Sequence, residues 1–380
     1  LIYRAIDAWY VRVEDIRNRL LASNDQVAWM PPHVGEKRFA NWLAEANDWN
    51  ISRNRFWGSC LPVWINENDP EDTICVGSVA ELEELSGQPV EDLHKHTIDD
   101  ILIHRDGKTY RRTPEVLDCW FESGSMPYAQ NHYPFEHREM VEEHFPADFI
   151  AEGLDQTRGW FYTLTVLSTI LFDGPAFRNV VVNGLVLAED GKKMSKRLKN
   201  YPDPSKVMEE HGADALRLFL LSSPVVRAED LCFSEDGVRE CLRAIIIPLW
   251  NSYSFFVTYA RVDGWTPADD GAPPANPSNV LDRWILSRLQ QAVADIRERM
   301  DGYDLQRAAQ RFIGLIEELT NWYIRRSRRR FWKSSNDTDK AEAYATLHHV
   351  LVSFAKLAAP FIPFVTEAIY RNLRTPAMPE

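Results

Sequence analysis

The stretch Pro146-Ala-Asp-Phe-Ile-Ala-Glu-Gly153, continuing through Leu154-Asp-Gln-Thr-Arg-Gly-Trp160 to Val180-Val-Val-Asn183, decides the fold. Asp148-Phe-Ile150 and Val180-Val-Val182 read as strands, and the apolar run between them reads as a helix. Strand, helix and strand within that length form a βαβ unit, so a parallel sheet in an α/β body is predicted. Within it, Ala151–Phe161 lies where a strand ends and a helix begins, the place where ligands collect in open α/β sheets. Gly153 permits close backbone approach, while Glu152 and Asp155 suit sugar hydroxyls or a ligand ammonium. Gln156 and Trp160 stand four apart, on one face of the helix's first turns, as an amide beside an apolar wall. Trp160 also reads as core, in a stripe with Leu164, Leu167 and Leu171.

Downstream, Leu185-Val-Leu187 closed by Asp190-Gly191 predicts a hairpin. It leads into Lys192-Lys-Met-Ser-Lys-Arg-Leu-Lys-Asn200, with five cations in eight positions. Several ammonium groups and the Ser195 hydroxyl on so short a loop suit a polyphosphate, whose charge develops on a leaving pyrophosphate. A solvated basic turn is the alternative. Asp203-Pro204 then starts a helix and Gly212 stops it.

Upstream, residues 1–57 mix a β-like start at Tyr10-Val-Arg-Val13 with helical segments. Residues 58–112 change to short β-branched runs and acidic turns, a small partly β insertion. The body then runs over 113–190, with a loop-bearing junction over 191–262. Four Pro and two Gly mark a linker over 263–280. Beyond it, over 281–380, three apolar stripes predict antiparallel helices in a bundle: Ile285 to Met300, Leu305 to Tyr323, and Leu347 to Ala358. On the second of these, Arg325, Arg326, Arg328, Arg329, Arg330 and Lys333 interleave with Trp322, Tyr323, Phe331 and Trp332. Phosphate contact with base stacking is one reading, and a cation-rich helix C-terminus over buried aromatics the other.

Composition bounds the function. The 380 residues carry 43 Lys plus Arg against 56 Asp plus Glu, a formal charge of −13, which excludes a uniformly basic nucleic-acid coat. No apolar run reaches the roughly 18 residues of a membrane span. Five widely spaced Cys, with no Cys-x-x-Cys, suggest a reducing, cytoplasmic compartment and no structural zinc.

Lys193-Met-Ser-Lys-Arg197 resembles the signature loop of class I aminoacyl-tRNA synthetases. Trp49-Asn-Ile-Ser-Arg-Asn-Arg-Phe-Trp-Gly58, Asp118-Cys-Trp-Phe-Glu-Ser-Gly-Ser-Met-Pro-Tyr128 and Leu154-Asp-Gln-Thr-Arg-Gly-Trp160 resemble the isoleucyl branch, in its eukaryote-like subtype. The resemblance runs from about residue 1 to 370. It implies a Rossmann-like catalytic half followed by an incomplete anticodon-binding bundle, acting on isoleucine, ATP with Mg2+, and tRNA(Ile). It further implies that Lys196, assisted by Lys193, meets ATP phosphates, and that Glu152 and Asp155 hold the ribose. Asn183 and Gly184 would lie near adenine, Gln156 and Trp160 beside the isoleucine side chain. On the basic and aromatic cluster noted above, Trp322, Arg325, Arg328 and Arg329 are the candidate tRNA contacts under the first of its two readings.

Two departures stand out. Arg197 replaces the family's usual Ser. The family's other signature, His-Ile-Gly-His, occurs nowhere, and neither His94-Lys-His96 nor His348-His349 matches it. Residues 1–9 resemble the return from the family's editing insertion. The expectation is therefore a C-terminal-half portion that needs the missing N-terminal half and lacks the editing pocket. A valyl enzyme and a non-catalytic tRNA-binding module are the alternatives; Asp155–Trp160 argues against the first.

Overall fold

The computed structural model describes residues 7–268, 270–332 and 337–379. The opening residues of the insertion-return segment, 1–6, and Lys333 of the basic cluster lie outside the described residues. The chain forms two compact units, Leu1–Val180 and Val181–Glu380.

The predicted alternation at 146–183 is realised as strand Ala147–Gly153, helix Trp160–Phe172 and strand Phe177–Asn183. The strands are neighbours in a three-stranded sheet completed by Ala28–Met30. Ala147 N–H donates to Ala176 O at 3.0 Å, and Asn179 Nδ2 donates to Asp148 O at 2.8 Å. The two strands thus begin side by side and run the same way, as a helical crossover requires. The helix departs from the predicted single stripe. Every residue from Phe161 to Thr169 is buried, whereas Leu171 is 57% exposed. Helices Arg17–Asn24 and Cys119–Gly124 pack against it as well, so no face of its middle turns is left to solvent.

Residues 63–112 form a four-stranded antiparallel sheet in the order Asp69–Cys75, Val63–Asn66, Lys108–Arg112, Leu102–Arg105. It has its own small core around Trp64, Ile103 and Tyr110. Trp64 Nε1 donates to Ile101 O at 2.9 Å, so its one polar atom is satisfied inside that core.

In the second unit, helix Pro204–His211 starts and stops where its sequence signals lie. Asp203 accepts from Ser205 N–H, and Gly212 ends the helix at φ 86°. Helices Val280–Asp301, Leu305–Glu317 with its continuation to Trp332, Asp337–Ala358 and Pro363–Leu373 build the bundle. The stripe residues Ile285, Leu289, Phe312, Ile316, Leu347 and Leu351 are almost completely buried in one core. Leu249 and Phe256, from helix Ile247–Asp263 ahead of the proline-rich stretch, belong to that same core. The proline-rich stretch is itself packed down: the Trp265 ring stacks on Tyr344 at 5.5 Å and meets Phe256 edge-on. Inside the bundle, Arg330 bonds both oxygens of the fully buried Asp282 at 2.7 Å, and Tyr323 OH donates to the same carboxylate.

Candidate functional site

In the first unit, the three motifs quoted above converge. Strand Ser52–Arg53 pairs with Val116–Leu117, which places the 49–58 stretch beside the 118–128 stretch. Asp118, 4% exposed, joins them: it accepts from Arg53 Nη2 at 2.8 Å and Trp49 Nε1 at 3.4 Å. Glu122 accepts from Ser59 N–H at 3.1 Å. The third motif joins through Trp160, whose Nε1 donates to Ser123 O at 2.9 Å.

Around Gln156 the structure refines the sequence reading. Leu154–Arg158 is a tight 3-10 turn, and the helix begins only at Trp160. Gly159, at φ −136° and ψ −113°, breaks the backbone between the two. Gln156 is therefore not on the first turn of the helix but in front of it. Its Oε1 accepts from Trp160 N–H at 3.0 Å, satisfying one of the helix's orphan donors. Its Nε2 donates to Asp155 Oδ2 at 2.8 Å. A side chain at Gly159 would collide with Gln156 Oε1 at 2.7 Å and crowd the Trp120 ring at 3.2 Å. The Asp155 carboxylate in turn folds over Gly153, where a Cβ would stand 2.7 Å from Oδ1. Glu152 is exposed on the end of its strand, and Trp160 is half-buried.

The result is a polar edge (Glu152, Asp155, Gln156) next to two indoles, Trp120 and Trp160. Trp120, 40% exposed, is missing from the sequence-predicted residues. A flanking cavity of about 980 Å3 is lined by Arg53, Trp57, His94, Asp118, Trp120 and Glu122, among others. Such an arrangement suits an amino acid or nucleoside: hydrogen-bond acceptors for ammonium or hydroxyl groups, with flat apolar walls.

In the second unit, Gly184 is pressed against the chain at 228–230. Its N–H donates to Val225 O at 2.7 Å, and a Cβ there would fall 1.9 Å from Glu229 O. Asn183 precedes it, half-buried at the end of its strand. Strand Val186–Leu187 pairs in parallel with Leu231–Cys232. The predicted hairpin forms, with Leu187 bridging Lys193 and the turn closed by Ala188 N–H to Lys192 O and Gly191 N–H to Ala188 O.

On the loop that follows, Lys193, Lys196, Arg197 and Lys199 are exposed, while Met194, Ser195 and Asn200 are half-buried. Lys192 is spent locally: it bonds Asp190 at 2.7 Å, which raises its own pKa and holds the Asp190 carboxyl below the usual range. Four cations projecting from a hairpin-anchored loop can neutralise an oligophosphate. One group among the described residues, Glu210, His211 and Glu235, has metal-like spacing; His211 Nε2 lies 3.0 Å from Glu235 Oε1.

On the bundle, the face Trp322, Arg325, Arg326, Arg328 and Arg329 is exposed. Arg326 lies over the Trp322 ring at 4.6 Å. Arg330, Tyr323 and Phe331 of the same cluster are turned into the core instead.

The profile of the tRNA synthetases class I (I, L, M and V) matches residues 2–232, and that of the anticodon-binding domain of tRNA ligase matches residues 282–378. The chain belongs to the class I tRNA synthetases. Isoleucine–tRNA ligase of Protochlamydia amoebophila is 56% identical over 380 residues, all of this chain and 36% of that protein. The Treponema denticola enzyme of the same name is 57% identical, covering 99% of this chain and 35% of its own length. The chain thus spans about a third of the length of these relatives. Among solved structures, Mycobacterium tuberculosis methionyl-tRNA synthetase in complex with methionyl-adenylate superposes with a TM-score of 0.66 at 19% identity, over 95% of this chain and 62% of that one. A leucyl enzyme of Agrobacterium radiobacter, in a ternary complex with tRNA, gives 0.63 at 19% identity, over 86% and 41%. This chain shares the fold of these two structures, and its own matches are a class I synthetase catalytic domain followed by an anticodon-binding domain. No helix among the described residues is long and apolar enough to cross a membrane.

Proposed function

We propose that this chain supplies the distal catalytic part, the signature loop and the anticodon-binding helices of an isoleucine–tRNA ligase. The observation that carries the reading is identity of 56–57% with isoleucine–tRNA ligases along the entire chain. The Asp155–Gln156 pair and the exposed lysine loop, the two features with chemical capacity, fall inside that match.

In this reading, the isoleucine carboxylate attacks the α-phosphorus of ATP, forming isoleucyl-adenylate as the bond to pyrophosphate breaks. The adenylate then passes its acyl group to a ribose hydroxyl of tRNA(Ile), releasing AMP. The attack brings two anions together, so catalysis rests on positioning and charge neutralisation. Lys193 and Lys196 neutralise the departing pyrophosphate, with Ser195 at the same loop. Glu152 and Asp155 accept from the ribose, with Gly153 leaving room for the folded Asp155 carboxylate. Asn183 and Gly184 border the adenine, and Gln156 and Trp160, with Trp120, border the side chain. Magnesium arrives with ATP, held by phosphates and water rather than a protein cage. One methylene separates isoleucine from valine and is worth about 1–3 kcal/mol, a figure for which this enzyme family is itself the standard example. Indole walls alone therefore discriminate modestly.

The His-Ile-Gly-His stretch is absent from the 380 residues. The 380-residue chain alone is expected to show no isoleucine-dependent ATP–pyrophosphate exchange, and a ligase carrying it at full length is expected to show it. Exchange with valine in preference to isoleucine in the full-length protein would refute the assignment.

A further inference from the structure

The loop 192–200 contains a residue whose side chain the chemistry above does not use. Asn200 is half-buried while the cations around it are exposed. Its Oδ1 accepts from Ser195 N–H at 2.9 Å, and its Nδ2 donates to Lys193 O at 3.2 Å. One carboxamide thus ties both the residue before and the residue after Met194, closing the segment into a ring. The ring is tightened by Lys199 N–H donating to Ser195 O at 2.9 Å. Lys199 itself sits at φ +48°, in the left-handed region that a lysine occupies only when its surroundings hold it there. Beneath the ring lies a pocket of about 350 Å3 lined by Met194, Lys199, Asn200, Tyr201 and Phe233. The loop therefore has no regular secondary structure to fix its shape. Its frame is the hairpin bridge at Lys193 and the Asn200 side chain.

We propose that Asn200 is a positioning residue for the signature loop: its carboxamide latches Lys193 and Ser195 and so sets where Lys193 and Lys196 present their ammonium groups. The inference rests on the reading of this loop as the one that meets ATP phosphates. The physical logic is preorganisation. Two flexible lysines on an unlatched loop must be ordered when the triphosphate binds, and that cost falls on ATP affinity, not on isoleucine affinity. Asn also has the only geometry among small side chains that offers an acceptor and a donor at once from one short planar group. Asp keeps the acceptor for Ser195 N–H and loses the donor to Lys193 O.

The test has two arms. Trypsin cuts after Lys and Arg, and the loop offers five such residues between 192 and 199. On the 380-residue chain, Asn200→Ala is expected to speed cleavage within the loop about tenfold, with Asn200→Asp between it and the parent, a local opening worth one decade in equilibrium. The thermal midpoint of each variant, read alongside, separates loop opening from general unfolding. In the full-length ligase, Asn200→Ala is expected to raise the ATP KM for pyrophosphate exchange about tenfold while the isoleucine KM stays within about twofold; Asn200→Asp recovers part of the loss. Parental cleavage rate together with parental ATP KM would overturn the proposal. So would a rise of both KM values together with no recovery by Asp, the pattern of a merely structural residue. A full-length parent without exchange would defeat the underlying reading instead, and the cleavage arm, which needs no turnover, tells the two failures apart.

Discussion

At the residue scale, the second unit depends on atoms that are absent. Gly184 N–H bonds Val225 O, and its α-carbon faces the Glu229 carbonyl so closely that any Cβ would lie 1.9 Å from that oxygen. The obstacle is backbone, and it is fixed by the pairing of Val186–Leu187 with Leu231–Cys232 and by Leu185 N–H to Asp230 Oδ1 at 3.1 Å. A methyl group there cannot be absorbed by rotating a side chain. Gly184→Ala is expected to cost about 1–3 kcal/mol, the range for forcing extra volume into packed structure. Urea denaturation of the 380-residue chain reads this directly, and an unchanged midpoint would show that 228–230 can give way. The sequence singled out Gly184 through its family resemblance, for adenine. Its close approach to 228–230 lies more than forty residues away along the chain and leaves no local signal. Asp118 is the same kind of case. Its partner Arg53 is 65 residues away, so nothing in its neighbours marks it as the joint between two motifs.

Elements were legible wherever one local signal decided them. The bundle helices follow their apolar stripes, because a period of 3–4 residues has one solution when a core lies on one side. The Pro204–His211 helix follows its cap and stop. Packing against several neighbours was not legible: the Trp160–Phe172 helix is buried all round in its middle turns, and the Pro- and Gly-rich stretch that reads as a linker lays Trp265 on the bundle. That packing has a consequence. His348, 2% exposed, lies against Phe256 and Trp265 and shares a hydrogen bond of 2.8 Å with Leu373 O. His349 lies 3.4 Å from Gly271 O, with Lys356 as its charged neighbour. Burial depresses both imidazoles below their ordinary value of 6.5.

The sign follows. Below about pH 6.5 the unfolded chain binds protons that the folded bundle refuses, so stability present above that value is lost as pH falls. Each histidine contributes a slope of at most about 1.4 kcal/mol per pH unit. The urea midpoint is therefore expected to drop between pH 7 and 5, and His348→Gln, which can still donate to Leu373 O, should flatten that drop. Carboxylates held low, such as Asp263 beside Lys340, act in the same direction at more acidic pH. An equally steep fall between pH 7 and 5 in the His348→Gln variant would leave His349 as its source, and the same fall in the double variant with His349→Gln would remove both imidazoles as the cause.

At the scale of the whole molecule, a chain of net charge −13 is expected to hold a polyanion. The charge balance forbids diffuse attraction, so binding must come from places where cations outnumber acids locally. On the bundle the face of Arg325, Arg326, Arg328 and Arg329 with Trp322 is such a place. The structure divides the sequence cluster sharply, since Arg330 is consumed by Asp282 and Asp339 and contributes nothing outward. Composition could not make that division; it needs the helix phase and the buried carboxylate together. If this face meets tRNA phosphates, each contact releases counterions and adds about 0.7–0.9 to the slope of log affinity against log salt. The double charge reversal Arg328→Glu with Arg329→Glu is then expected to weaken tRNA binding to the 380-residue chain and to flatten that slope by about 1–2. Because both side chains are exposed and neither bonds the core, the thermal midpoint should hardly move, which separates lost contact from lost fold. Filter binding across a salt series measures it. Parallel lines for parent and variant would remove this face from the interface. The basic loop at 192–199 would then be the next cation-rich segment to examine by the same slope.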